Sequence, residues 1–502
     1  MKPLAPLLAL LVLPGAARAQ AAVVSDAPQA VAVTIYRDGP VETARLRYAP
    51  PQEGLALVTE TRRLDLPAGR SVVKFRGVAE RIIPQTATLE GLKAQVVERN
   101  ADYDLLSPAA LMVKSVGRTV RIVRTDPATG RVTERPAVVR AAGDGVVLEI
   151  DGKLEALGCA GLPERIVFDD VPPSLAADPT FSMVVESEKG GPQDVRLSYL
   201  ATGLSWSADY VATLSADGRS IDLFGWITLA NMSGARFGET PTHVVAGDLS
   251  RDDGTRPIDP PWASAPRLCW ASGVAPSGGP PIPPLPVPRA ERRLEAVEEV
   301  VVTGMARQSD LGDYKLYSLP EATSIAARQI KQVAFLHQPR VAVQRVYAFD
   351  YDGGDEAEPA RVLLRLDNRV AEGLGKPLPA GSVAVMEPAA GGGTILAGED
   401  RLERDLPVGL KGDLEIGQAI DVTVEPRIVE EKHVDGRERR TVEVEILNRK
   451  PHPVRVEYRH RMAGQGRLVA GPRPQEASAG DLLWRLDLPA SSRKVLRYAV
   501  AN

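Results

Sequence analysis

Cysteine, histidine and aromatic side chains are scarce in this 502-residue chain, which holds two cysteines, five histidines and 5% aromatic residues. Cys159 and Cys269 form no C-x-x-C motif, and His243, His337, His433, His452 and His460 include no H-E-x-x-H pair. A G-x-S-x-G elbow, a P-loop and a dinucleotide glycine fingerprint are missing too. His452 and His460 flank a strand pattern, and eight residues of strand span about 26 Å, too far for one metal. They read as a surface histidine pair. Neither charge sign dominates, with 61 basic against 65 acidic residues, which removes a bulk electrostatic case for nucleic acid. Beyond the N terminus no apolar run approaches the roughly 18 residues of a transmembrane helix. No series of amphipathic strands suits an outer-membrane barrel either.

The one short apolar run lies in MKPLAPLLALLVLPGAARAQA, at residues 4–13 behind Lys2. Ala17-Arg18-Ala19 supplies the small residues of a cleavage site, so residues 1–19 read as a Sec-type signal peptide. No cysteine follows the site, so no lipid anchor is expected. The expected location is periplasmic or secreted, with no transmembrane segment after cleavage. In an oxidising compartment Cys159 and Cys269 are a candidate disulfide, worth about 4–5 kcal/mol in the chain-entropy model. Two buried thiols are the alternative.

Period-two alternation dominates the rest, and helical periodicity is nearly absent. LALVTETRRLDL, TVRIVRT, VVLEIDGKLEAL, IDLFGWITLAN and PVRVEYRHR all alternate. In TVEVEIL, Val442, Val444 and Ile446 point one way and Thr441, Glu443 and Glu445 the other, the mark of a half-buried antiparallel strand. Asp151-Gly152, Asp217-Gly218 and Asp435-Gly436 signal turns. The expected fold is mainly β: tandem antiparallel β-sandwich domains with a small SH3-like barrel inserted in the N-terminal half. The expected order is an N-terminal sandwich at 22–105, the barrel at 106–160 and a split central domain at 161–270 and 311–420. A Pro/Gly-rich linker occupies 271–310, and a C-terminal sandwich occupies 421–502. RRLDLPAGRSVVKFRGV (62–78) echoes LWRLDLPASSRKVLRYAV (483–500), each a strand, a Leu-Pro-Ala corner and a strand. They read as one edge hairpin used twice.

Residues 198–239, SYLATGLSWSADYVATLSADGRSIDLFGWITLANMSGARFGE, carry a resemblance. Gly203-Leu204-Ser205-Trp206, Asp209-Tyr210, Asp217-Gly218, Gly225-Trp226 and Asn231 resemble the signature of bacterial domain-of-unknown-function family 4139, which includes mucoidy-inhibitor-A-like proteins. PEATSIAARQIKQVAFL (320–336) and RVLLRLDNRVAEGLGKPLPAGSVAVMEP (361–388) fit the same pattern, and the likeness extends over most of the chain. It implies a β fold and an envelope location. It implies no catalytic residues, and the coiled coil of many mucoidy-inhibitor relatives has no counterpart here.

Three places could carry chemistry. Around Gly353-Gly354, the carboxylates Asp350, Asp352, Asp355 and Glu356 alternate as an oxygen-ligated cation requires. The helix-flanked loop pattern is missing, so a solvated acidic hairpin tip is the simpler reading, and no metal or cofactor is expected. Trp206, Tyr210, Phe224 and Trp226 could stack on sugar rings if exposed, or anchor a core if buried. The third place is Val297, Glu298, Glu299, Val300, Val301, Val302, Thr303 and Gly304, which follows a Pro/Gly-rich tether. VEEVVVTGMAR resembles the segment near the mature N terminus of TonB-dependent outer-membrane receptors, where an extended peptide adds to a partner's sheet. Three valines in a row favour that backbone, and main-chain hydrogen bonds would supply the affinity. The expected role is a non-catalytic binding or scaffold protein whose partner is another envelope protein. The alternatives are carbohydrate binding through the aromatic strands, and a hydrolase assembled from scattered acids and histidines. A cleft collecting three or more carboxylates or histidines would favour the last.

Overall fold

The computed structural model describes residues 21–37, 54–102, 108–126, 128–142, 145–157, 164–172, 175, 178–250, 305–353, 357–389, 391–434, 437–462, 466–478 and 481–501. Among them the chain is nearly all strand, and the one α-helix is Pro108–Lys114. Two compact units emerge among these residues: those within 21–32 and 57–201 form one, and those within 33–37, 54–56, 202–250 and 305–501 the other.

In the first unit one sheet runs in the order Ala21–Ser25, Gly69–Arg76, Thr180–Ser187, Gln95–Asp102. Another places Gly191–Ala201 between Leu55–Leu66 and Ile82–Glu90. Alternation fills the space between them: Val73, Phe75, Phe181 and Met183 from the first sheet, Val58, Leu64, Leu197 and Tyr199 from the second, all buried. The N-terminal sandwich therefore takes two strands from beyond residue 161, where the sequence pattern had begun the next domain. The insertion between them is a five-stranded antiparallel sheet, ordered Lys153–Leu157, Val146–Ile150, Val132–Ala142, Thr119–Thr125, Glu164–Val167. It is not the SH3-like barrel that its short strands suggest. Its two outer strands do not pair, and Met112 of the helix joins the apolar cluster of Val120, Ile122, Val139 and Leu148. A helix on the apolar face does what closure would have done.

The Leu-Pro-Ala corners are not hairpins. Leu55–Leu66 and Gly69–Arg76 lie in different sheets, and Asp481–Leu488 and Ser492–Ala501 also pair with different neighbours. Each corner carries the chain across a core. Leu66 and Leu488 are buried before it, and Gly69 and Ser491 both take positive φ, 92° and 49°, at the same place in the turn. The echo in sequence is a repeated crossing.

The second unit is organised by two very long strands, Gln329–Tyr351 and Lys411–Val434. The first half of Gln329–Tyr351 pairs with Ser220–Asn231, and its second half pairs with Glu358–Asp367 and, in parallel, with Val454–Arg461. Lys411–Val434 pairs first with Glu358–Asp367 and then with Arg437–Asn448. The boundary expected at 420–421 thus falls inside a continuous strand. Residues 307–310, assigned to the linker, belong to the strand Arg307–Leu311. The C-terminal core gathers Tyr347, Phe349, Val444, Val456, Tyr458, Trp484 and Tyr498, with Val442 and Ile446 facing in as their alternation predicts.

Three strands of this unit end on a buried asparagine. The Nδ2 of Asn231 donates to the carbonyls of Ala235 and Ala326, that of Asn368 to Lys376 and Leu406, and that of Asn448 to His452 and Pro489. One side chain ties together two carbonyls beyond its own strand, which anchors the chain where each strand stops.

Candidate functional site

The period of two that builds the C-terminal core also builds what lies on the sheet's other face. Phe349, Tyr458 and Trp484 turn into the core, so their neighbours Asp350, Glu457, Arg459 and Arg485 turn away from it. Arg361 and Arg365 join them from Glu358–Asp367, and Asp413 and Glu415 from Lys411–Val434. Two adjoining clefts result. The larger, about 1100 Å³, is lined by Arg401, Arg404, Asp405, Lys411, Glu476 and Arg485 among others. The smaller, about 330 Å³, is lined by Asp350, Arg361, Asp400, Glu415, Arg459 and Arg461. Arg365, Asp413 and Glu457 line both.

Arg365 is the hub. It donates to both oxygens of Asp413 at 2.7 Å each, and to Glu457 at 2.7 and 3.0 Å. Glu457, whose side chain is only 7% exposed, also accepts from Arg485 at 3.0 Å, and Arg485 reaches on to Glu476. Burial alone would raise the Glu457 carboxyl, but Arg365 and then Arg485 outweigh it, and its pKa moves down. The hydrogen bonds to Asp413 and Glu457 hold the Arg365 guanidinium charged more firmly than usual.

The smaller cleft collects five carboxylates, more than the three that would favour a hydrolase. All five are engaged. Asp350 accepts from Arg361 at 2.6 Å and Arg461 at 2.9 Å, with Arg459 at 3.6 Å. Arg361 also holds Glu415 at 3.0 Å, and Asp400 accepts the Glu415 backbone N–H at 2.5 Å. Asp413 and Glu457 belong to Arg365. A general acid at neutral pH needs a carboxyl pKa pushed up, and Glu457 has moved the other way. The arrangement presents fixed charges of alternating sign, suited to meeting a complementary surface.

Asp350 therefore sits among three guanidinium groups, a poor setting for a dication. Asp352 is exposed beyond it, and Asp355 and Glu356 lie outside the described residues. No group of three His, Cys, Asp or Glu among the described residues is placed to hold a metal ion. Cys159, Cys269 and residues 297–304 also lie outside the described residues.

The aromatic strands divide by face. Trp206 and Tyr210 are buried, with Trp206 Nε1 donating to the Val245 carbonyl at 3.2 Å and the Tyr210 hydroxyl to the Pro379 carbonyl at 2.7 Å. Phe224 and Trp226 are half-buried, and Phe224 stacks on His337 with ring centroids 4.0 Å apart. His452 is exposed, but His460 is not its surface companion. His460 follows Val454, Val456 and Tyr458 onto the inner face, where its Nδ1 lies 2.8 Å from the Tyr498 hydroxyl. Burial, and then the charge of Arg440, lower its pKa to about 4.

Arg365, Asp413, Glu457 and Arg485 were not singled out from the sequence. The available signal was the charge on alternate positions of VRVEYRHR and LLRLD, which says that a face is charged but not which strands share it. No protein-family model matches the chain, and no curated protein matches it either.

Proposed function

We propose that the chain is a non-catalytic binding or scaffold protein of the bacterial cell envelope, of the family 4139 type. The observation that carries this reading is the saturation of the smaller cleft. Every carboxylate in it is matched by a guanidinium or a backbone N–H, and the most buried, Glu457, is held ionised by Arg365 and Arg485. Groups committed in this way orient a surface rather than transfer protons. The resemblance at 198–239 and the signal-like N terminus support the envelope location. Val297, Val300, Val301 and Val302, with their neighbours through Gly304, are the proposed docking strand for another envelope protein.

Affinity capture from envelope extract tests the proposal, comparing the full chain with a deletion of residues 297–304. Loss of a captured protein, with the melting temperature unchanged, is the expected result. An unchanged captured set and a lower melting temperature would assign those residues to the fold instead. Carbohydrate binding keeps only Phe224 and Trp226 as candidate stacking groups, since Trp206 and Tyr210 are enclosed.

A further inference from the structure

The loops around Asn368 expose apolar side chains on a rigid base. Val370 is 78% exposed, Val408 51% and Leu410 56%. They come from two loops stitched backbone to backbone: the Asn368 N–H donates to the Leu410 carbonyl at 2.9 Å, and the Gly409 N–H to the Asn368 carbonyl at 2.6 Å. Leu378 and Leu406 exchange two further backbone bonds, at 3.1 and 2.8 Å. That stitching sets Val370 within two residues of the bridge and Val408 and Leu410 beside it. Gly373 caps the short 3-10 turn Val370–Glu372 at φ 87°, and a Cβ there would meet the Arg340 carbonyl oxygen at 2.8 Å. The Gln338 amide donates to the Gly373 carbonyl at 3.2 Å, which ties the turn to the neighbouring strand. A loop held this firmly does not fold its valine away, so exposure of these side chains belongs to the native state.

Charge indicates what covers them. Arg340, Lys376, Arg404 and Lys411 lie on the same two loops or against them, all exposed; the Arg340 backbone N–H donates to Asp222 at 2.9 Å, but none of the four cationic side chains has a carboxylate partner among the described residues. Among the described residues, Glu372 and Glu403 are the acids beside these loops without a cationic partner, and Arg369 is spent on Asp367 at 3.2 Å. Leu410 and Lys411 also line the mouth of the larger cleft, beside Arg404. Apolar tips ringed by cations match an anionic bilayer surface, with side chains entering the acyl boundary and cations meeting headgroups. We infer that the 368–376 and 406–411 loops dock this protein on a membrane surface rich in anionic lipid. The inference stands apart from the strand at 297–304, whose deletion should leave it intact.

Co-sedimentation of the mature chain, without the signal-like residues 1–19, with vesicles tests it, using phosphatidylcholine alone and phosphatidylcholine with about a third phosphatidylglycerol. The parent should pellet with the anionic vesicles and far less with the neutral ones. Val370→Asp alone, at a site too exposed to disturb packing, should weaken pelleting, and Val370→Asp with Val408→Asp and Leu410→Asp should abolish it. Lys376→Glu with Lys411→Glu should remove the preference for anionic lipid, at about five-fold in affinity per cation lost. Ile420→Asp is the control, because Ile420 is 89% exposed but about 30 Å along the strand from Leu410. Three results would overturn the inference: no pelleting of the parent, parental pelleting of the triple variant, or equal loss with Ile420→Asp. Concentration-dependent self-association of the parent without lipid, abolished by Val370→Asp, would replace the membrane with a second copy of the chain and overturn it as well.

Discussion

Both units solve the same electrostatic problem, in opposite places. In the first, Arg62 and Glu60 are sealed inside the sandwich, 0% and 2% exposed. Arg62 Nε donates to Glu60 at 2.7 Å, and its other nitrogens reach the carbonyls of Ser25 at 3.1 Å and Arg76 at 2.8 Å. The Tyr199 hydroxyl donates to Glu60 at 2.6 Å and accepts the Ala79 N–H at 2.9 Å. In the second, Arg365 also serves two partners, but on a face open to solvent. The buried pair is enclosed with its own network, whereas the second lattice lines a cleft that solvent reaches. Burial makes a pair structural, and access makes a lattice available for binding.

Removing one member of the buried pair should do the most damage. Arg62→Met leaves Glu60 with only the Tyr199 hydroxyl, and should cost about 3–5 kcal/mol in denaturant unfolding of the first unit. The double variant Glu60→Leu with Arg62→Met should recover most of that loss, because no charge is left stranded. A double variant as unstable as Arg62→Met would show that the network holds the fold by more than charge pairing.

Next comes His460, a buried group titrated without mutation. Its folded pKa of about 4 lies below the ordinary value of 6.5, so the unfolded chain binds the extra proton between them. Stability is therefore full above about pH 6.5 and declines toward pH 4, by on the order of 3 kcal/mol. His460→Gln should flatten that slope, measured by melting temperature across the window. An unchanged slope would place the acid sensitivity elsewhere.

The open lattice should respond less. Arg365→Ala removes four hydrogen bonds but leaves Arg485 on Glu457, and should cost about 1.5–3 kcal/mol. Arg461→Ala, at a side chain 60% exposed, should cost at most about 0.5 kcal/mol, and less in high salt. Equal costs for the two would erase the distinction between a hub and a rim.

The strands were legible because alternation is a local signal. Leu55–Leu66, Thr119–Thr125 and the hairpin at Asp151-Gly152 follow from composition and turn chemistry alone. Pairing was not legible, since it joins residues about a hundred positions apart: Val456 beside Tyr347, or Thr180–Ser187 beside Gly69–Arg76. For that reason the Leu-Pro-Ala corners read as hairpins when they cross between partners. His460 shows the same limit in miniature. Its place two residues after Tyr458 put it on the inner face, but only a hydroxyl from Tyr498 made that face tolerable for an imidazole. The charged clefts were visible as alternating charge and invisible as a site, because Arg365 meets Glu457 across 92 residues of chain.

The cleft network requires Glu457 to be an ionised, structural carboxylate, and one comparison tests that directly: the stability of the parent against Glu457→Gln from pH 7 to pH 3. With the folded pKa lowered, the parent's advantage should be full above the ordinary carboxylate value of 4.5 and vanish as the pH falls through the lowered value. A stability difference between parent and variant that stays the same from pH 7 to pH 3 would contradict this, because an ionised carboxylate with a lowered pKa must lose its advantage on protonation.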